Sequence, residues 1–204
     1  KEVHAVDAAG VHPLLLAIGS ERYTPYLPTK QPAELLTIAN HILGTGQLSL
    51  AKFLFITADD TKQLTTHHVQ EFFEYIFERI DLTRDIHFHT NTTIDTLDYS
   101  GTGLNTGSKV VFAAYGEVLR TLAREVPSVF TQLNGFGPAF LAMPGVICLQ
   151  ANTFTDATNA SAEMDRLNGQ LAGRLHELHG IAQIVICDDA AFTAAKLGNY
   201  LWVT

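Results

Sequence analysis

Cysteine is scarce in this sequence: Cys148 and Cys187 are the whole complement of its 204 residues. Neither belongs to a C-x-x-C pair or to a Cys/His spacing, so a thiolate zinc site and a disulfide framework are both excluded. Each lies in an apolar, strand-like run, as buried free thiols of an intracellular protein do. The N-terminus, K-E-V-H-A-V-D, lacks signal-peptide character, and no apolar run is long enough to span a bilayer. The chain therefore reads as cytoplasmic, with no membrane span. Basic residues are outnumbered 13 to 21, which leaves a formal net charge of −8. Without a clustered Lys/Arg face such a chain is poorly equipped to neutralise a phosphate backbone, so nucleic acid is not an expected partner. The G-x-S-x-G turn of a nucleophile elbow is missing as well. Charged residues make up 17% of the chain against 47% hydrophobic ones. That balance supports a sizeable core and predicts that part of the surface faces another subunit or domain. An initiator Met and a C-terminal helix stop are also lacking, so both ends read as cut from a longer protein.

What is present is organised around residues 50–60, L-A-K-F-L-F-I-T-A-D-D. A near-continuous apolar run of strand length ends in two carboxylates, the pattern of a buried central strand whose polar residues mark its exit from the sheet. Before it, residues 12–19 (H-P-L-L-L-A-I-G) read as a strand, residues 20–32 with three prolines as a loop, and residues 33–43 as a helix between Pro32 and Gly44. After it, Thr65 or Thr66 caps a helix to Ile80 whose apolar stripe is Val69, Phe72, Phe73, Ile76, Phe77 and Ile80. Further strands are read at 85–90, 108–114, 140–150 and 181–187, and helices at 159–179 and 192–204. Residues 116–125 read as a short helix or a structured loop. This alternation predicts an α/β fold: a three-layer αβα domain with a mostly parallel, Rossmann-like sheet. Residues 1–11 read as an irregular N-terminal linker. Residues 12–204 read as a single domain, divisible into a core 12–115 and an extension 116–204. The central unit is echoed by I-A-Q-I-V-I-C-D-D before a second helix, either as an old half-repeat or as the generic look of a strand–Asp-Asp–helix unit.

Few constellations carry chemistry. Residues 101–109, G-T-G-L-N-T-G-S-K, resemble a phosphate-cradling turn. They fit neither motif: the third glycine falls one residue late for G-x-G-x-x-G, and Ser108 separates Gly107 from Lys109. The following S-K-V-V-F-A-A is strand-like, so the loop reads as a tight turn that approaches a ligand or a neighbouring subunit. The pairs Asp59-Asp60 and Asp188-Asp189 sit at strand ends, where ligands and hard cations bind in open α/β sheets. Capping of the following turn or helix is the favoured reading. His87 and His89 share one face of a strand and could begin a metal site. No third ligand is apparent, and Phe88 between them is expected in the core. His67-His68 read as a first helical turn and His176 and His179 as a last one. Ser20-Glu21-Arg22 could supply a carboxylate–guanidinium pair for an anion or for an interface between subunits.

Taken in series, these segments resemble the C-terminal domain of the UbiD family of decarboxylases. The first marker is H-P-L-L-L-A-I-G-S-E-R at 12–22, and the second is the run from Leu35 through the central strand to Asp60. The most specific is I-D-T-L-D-Y-S-G-T-G-L-N-T-G-S-K-V-V-F-A-A at 94–114, similar to the family's I-D-x-L-D … S-G-L-G-S-K segment. Here two residues are inserted between Leu104 and Gly107, and the family's G-x-D-A-T ending is replaced by V-F-A-A. Residues 143–156 and 188–204 resemble longer members. The resemblance implies reversible, non-oxidative decarboxylation of aromatic or α,β-unsaturated acids, in some cases for quinone biosynthesis, with prenylated FMN and associated metal ions. The cofactor, the metals and the catalytic residues belong to the preceding regions of such a protein. This sequence is thus expected to hold no catalytic, cofactor-binding or metal-ligating residue and to be inactive alone. Its implied partners are the N-terminal flavin-binding domain of the same protein and further copies in a homo-oligomer. Its implied roles are oligomerisation and active-site closure, with Leu104, Gly107, Ser108 and Lys109 lining the substrate pocket.

Overall fold

The computed structural model describes residues 1–6, 13–99, 101 and 103–204. Residues 7–11 of the N-terminal linker, His12 at the start of the expected domain, and Ser100 and Thr102 in and beside the glycine-rich segment lie outside the described residues. The chain divides into two compact units, Lys1–Leu119 and Arg120–Thr204, and each is described by itself.

The first unit holds strands β1 (Glu2–Ala5), β2 (Leu14–Ile18), β3 (Phe53–Thr57), β4 (Ile86–Thr92) and β5 (Gly107–Ala114), in the spatial order β1-β2-β3-β5-β4. The middle strands β2, β3 and β5 run parallel, and both edges are antiparallel to their neighbours. β3 is central because its apolar run is uninterrupted, and side chains on both faces of such a strand need cover. Leu54 and Ile56 meet helix α1 (Glu34–Leu43), which buries Leu35, Ala39 and Ile42 against them and against Leu15, Ala17, Val111 and Ala113. Phe55 points the other way, toward helix α2 (Val69–Arg79). Its ring meets Phe73 edge-on at 5.0 Å and Phe77 at 6.2 Å, and stacks on Phe112 at 4.3 Å. A fully buried side chain of this kind, such as Phe73, contributes about 1.5–3 kcal/mol.

The second unit has its own sheet of β6 (Ala139–Met143), β7 (Val146–Gln150) and β8 (Gln183–Cys187), in that order. β6 and β7 are antiparallel, and β7 and β8 parallel. Helix α3 (Ala157–Leu171) begins at Asp156, whose carboxylate accepts the Asn159 N–H. It adds Leu167 and Leu171 to a core with Val129, Phe130, Leu133, Ile147 and Leu149. Helix α4 (Ala190–Ala195) lies against β6 and β7, and α5 (Leu197–Val203) buries Tyr200 and Leu201.

The α/β class holds, but one mostly parallel, Rossmann-like three-layer sheet does not: the strands form two separate sheets, and both are mixed. The first residues form strand β1, not an irregular stretch. Residues 140–150 are not one strand but a hairpin turning at Pro144-Gly145, where Gly145 takes φ +79 as the third residue of a type II turn requires. The hydroxyls of Thr65 and Thr66 do not cap α2; both donate to Glu2, and the helix begins at Val69. The long helix read at 159–179 stops at Leu171, ahead of Gly173 at φ +79, and the last helix breaks at extended Lys196.

Candidate functional site

The three parallel strands of the first unit end on one edge, and their exits diverge. The chain leaving β2 passes to α1 on one face, while that leaving β3 passes to α2 on the other. Such divergence opens a crevice outside the carboxyl ends of the strands. The segment after β2 is pinned across this edge by an exchange of carboxylates. Glu21 accepts the N–H groups of Ala33 and Leu35 at the start of α1, at 2.5 and 2.9 Å. Glu34 reaches back for the Ser20 hydroxyl at 3.0 Å and the N–H groups of Arg22 and Tyr23 at 2.7 and 3.3 Å. The arrangement works like a capping box drawn across a loop. The hydrogen bond from the Arg22 N–H, followed by that from Ser20, holds Glu34 below the ordinary carboxyl range.

Lys30, Asp60 and Tyr115 meet at the rim. The Lys30 ammonium and the Tyr115 hydroxyl both donate to one oxygen of Asp60, at 2.9 and 3.0 Å, and Lys30 lies 5.6 Å from the Tyr115 ring centre. The Lys30 hydrogen bond lowers Asp60 and raises Lys30 in turn. Burial, then the bond to Asp60, raises Tyr115. Asp59 acts differently and accepts the Thr61 N–H and hydroxyl and the Leu64 N–H, at 2.8, 2.6 and 2.7 Å. Burial opposes its charge, but these bonds outweigh that and hold the group below its usual range. The carboxylate pair read from the sequence is thus split between a turn brace and an ion pair. Lys30 and Tyr115 were missed by sequence reasoning, since no local spacing joins residues 30, 60 and 115.

Behind these residues lies a cleft of ≈ 240 Å³, formed by the chain after β2 together with Tyr115. Arg22 lies exposed beside Glu34, and its guanidinium has no partner among the described residues; Glu21, engaged with α1, forms no ion pair with it.

The glycine-rich segment sits elsewhere on the unit. Ile94 is buried, and a Cβ on Gly107 would stand 2.8 and 3.0 Å from its methyl groups, so only glycine allows this approach. Asn105, at φ +55, ties the turn by donating its amide to Ile94 O at 3.0 Å and to the Thr96 hydroxyl at 2.9 Å. Leu104 is 79% exposed and Ser108 is exposed, whereas Lys109 is only 5% exposed. The Lys109 ammonium donates inward to the carbonyls of Ser49 and Ala51, at 2.6 and 2.9 Å. Burial pushes its pKa down, partly offset by Asp98. The four residues read as pocket lining therefore divide: Gly107 and Lys109 build the frame, and Leu104 and Ser108 reach the surface.

The remaining sequence candidates disperse. His87 and His89 do share a face, but Phe88 is 72% exposed instead of buried, because β4 is an edge strand and α2 packs over β3 and β5. His87 Nε2 is buried and without a hydrogen-bond partner among the described residues. The His67 ring lies 4.4 Å from His4 and near Glu2, ahead of α2 and not in its first turn. Asp189 caps α4 through Phe192 N–H at 2.9 Å. Among the described residues no group of three His, Cys, Asp or Glu is placed to hold a metal ion, and no helix is long and apolar enough to cross a membrane. Cys148 and Cys187 are free thiols, and burial, followed by the neighbouring Cys187, pushes the Cys148 thiol up to about 12.

Comparison with known proteins gives this arrangement a family. Residues 1–114 match the family model described as the 3-octaprenyl-4-hydroxybenzoate carboxy-lyase C-terminal domain. A Chlamydia pneumoniae protein named as a subunit of 4-hydroxybenzoate decarboxylase is 40% identical over 122 residues, covering 60% of this chain and 19% of that protein. An uncharacterised protein of Chlamydia caviae is 30% identical over 214 residues, covering 100% of this chain and 31% of its own length. The chain spans between 19% and 31% of the curated relatives it matches. Among solved structures, Sedimentibacter hydroxybenzoicus vanillic acid decarboxylase in an open form covers 84% of this chain and 29% of its own, at 14% identity and a TM-score of 0.44. A UbiD-class enzyme of Pelotomaculum thermopropionicum in complex with FMN covers 62% and 26%, at 14% identity and a TM-score of 0.43. With more than half of its residues matched by that domain model, the chain belongs to the UbiD carboxy-lyase family, to which it contributes the C-terminal domain.

Proposed function

We propose that this chain is the C-terminal part of a prenylated-FMN-dependent decarboxylase acting on aromatic or α,β-unsaturated carboxylic acids, with quinone biosynthesis as one setting. The observation that carries the reading is the family match over residues 1–114, nearly the whole of the first unit. On this reading residues 1–119 are the core domain and residues 120–204 an extension of it.

The described residues do not fit the cofactor or its metal ions. The glycine-rich turn leads into strand β5, not a helix, so it lacks the converging N–H groups of a phosphate site. Of the carboxylates that end β3, Asp59 is engaged in bracing the turn that follows, and among the described residues no group of three His, Cys, Asp or Glu is placed to hold a metal ion. Flavin, metals and proton transfer are therefore assigned to the rest of a cytoplasmic enzyme, and the chain alone is expected to be inactive. Its own part is to pack against the flavin-binding domain, to close the site and to join copies into a homo-oligomer. Leu104 and Ser108 line the closed pocket, Gly107 permits the close approach, and Lys109 braces the turn from inside. Exposed Tyr23 and Tyr26 on the chain after β2 suit an interface between subunits.

The test is carbon dioxide release by the full-length protein from a panel of aryl and acrylic acids, with and without prenylated FMN. Flavin-dependent release is expected; a loaded enzyme silent on the whole panel contradicts the reading. An assembly role without catalysis is the second reading, favoured by those exposed tyrosines, and light scattering that finds a strict monomer removes it.

A further inference from the structure

The cleft beside Tyr115 is unaccounted for by the decarboxylase reading and does not depend on it. Its ≈ 240 Å³ corresponds to the share of about eight water molecules in the liquid. It stands at the carboxyl edge of the parallel strands, between the chain after β2 and Tyr115 at the end of β5, the edge at which open α/β sheets take small ligands.

Its acceptors and donors are unequally occupied. Of the carboxylates around it, Glu21 is engaged by the N–H groups of α1 and Asp60 by Lys30 and Tyr115, while Glu117 acts on Lys30 through its charge. The donors are less engaged. The Thr24 and Thr29 hydroxyls and the Gln31 amide N–H₂ have no acceptor among the described residues, and the Lys30 ammonium, which donates to Asp60 and lies beside the Tyr115 hydroxyl, keeps donor capacity to spare. Gln31 is oriented by Arg84, which donates to its amide oxygen at 3.4 Å and so leaves the N–H₂ as the outward group. Pro25 and Leu27 supply an apolar wall. A surplus of donors beside a small apolar wall selects an acceptor-rich head on a short hydrocarbon body. The Lys30–Asp60 pair is no obstacle, because an ion pair this exposed shares its cation readily.

We propose that this cleft binds a small organic acid, with its carboxylate held by Lys30 and Gln31 and its hydrocarbon body against Pro25 and Leu27. Isovalerate is the probe, and isovaleramide, of the same shape without the charge, is its control. Titration into the chain is followed by NMR at the Tyr115 ring and the Lys30 side chain. Isovalerate moves these signals saturably, with a dissociation constant on the order of 1 mM. Isovaleramide binds at least tenfold more weakly. Lys30→Met, which keeps the aliphatic stem, loses about tenfold or more in affinity for the acid, and Lys30→Arg retains it. Unmoved signals at about 10 mM isovalerate, equal binding of acid and amide, or full affinity in a folded Lys30→Met variant each overturn the proposal. Should Lys30→Met not fold, the contrast of acid and amide on the unaltered chain decides alone.

Discussion

Two stretches of this molecule look alike in sequence and live differently. A-K-F-L-F-I-T-A-D-D builds β3, and I-A-Q-I-V-I-C-D-D builds β8. β3 has neighbours on both sides, and Leu54 and Ile56 are completely buried. β8 is the edge of a three-stranded sheet, and all five of its residues remain partly exposed. After β3, Asp59 braces a turn and Asp60 joins residues from two other segments; after β8, Asp189 caps the six-residue α4. An apolar run ending in Asp-Asp therefore specifies a strand and a polar exit. The number of neighbours, set by distant chain segments, decides how much each residue stabilises.

The largest effect expected from this contrast is on the two isoleucines. Ile56→Ala should destabilise the first unit by about 2–5 kcal/mol, through lost transfer energy and an unfilled cavity. Ile184→Ala on β8 should cost the second unit about 1 kcal/mol. Hydrogen exchange read by mass spectrometry on peptides covering each strand, during urea unfolding, separates the two. Equal losses would break the comparison. Next is Lys109→Met, which leaves the carbonyls of Ser49 and Ala51 inside the first unit without their donor. A loss of about 1–3 kcal/mol is expected, with faster exchange in the glycine-rich turn. A variant as stable as the parent, with an unchanged turn, would show that Lys109 is no brace.

The carboxylates sharpen the same contrast at a smaller scale. Asp59→Ala removes the acceptor of three hydrogen bonds and should cost about 1–2 kcal/mol, whereas Asp189→Ala removes one cap and should cost about 1 kcal/mol or less. Thermal melts followed by circular dichroism test the order. The smallest effect is the dependence on acid. Glu2, Glu34, Asp59 and Asp60 all have folded pKa values held below 4.5 for Glu and 3.8 for Asp. Their stabilisation is complete above those values and is lost as the pH falls through the folded ones. The first unit should therefore loosen progressively below about pH 4.5, and Asp60→Asn should flatten that slope. A melting temperature of the first unit that stays level from about pH 5 to about pH 3 would contradict the assignment.

Much of the fold was legible because local physics dictates it. The Phe72, Phe73, Ile76, Phe77 stripe gave α2 its buried face, and the uninterrupted run gave β3 its central place. Sheet membership was not legible, since nothing local in I-H-F-H says that β4 lies antiparallel at an edge with Phe88 outward. The hairpin at Pro144-Gly145 did carry a local signal, the P-G dipeptide, which the apolar residues around it outweighed. Of the carboxyl edge, Asp59 and Asp60 and the Ser20-Glu21-Arg22 run stood out. Lys30 and Tyr115 become visible once β3 and β5 bring three separate segments to one rim. The four residues read as pocket lining divided by burial for the same reason: successive residues of β5 face opposite sides, so Ser108 turns outward where Lys109 turns in.

The central claim is a division of labour, with assembly and closure in these residues and the flavin chemistry in the rest of the protein. Titration of prenylated FMN into this 204-residue chain and, in parallel, into the full-length protein, followed by flavin fluorescence, tests it most directly. The account predicts saturable binding by the full-length protein and none by the chain alone. Binding of the flavin by the isolated chain with comparable affinity would contradict it.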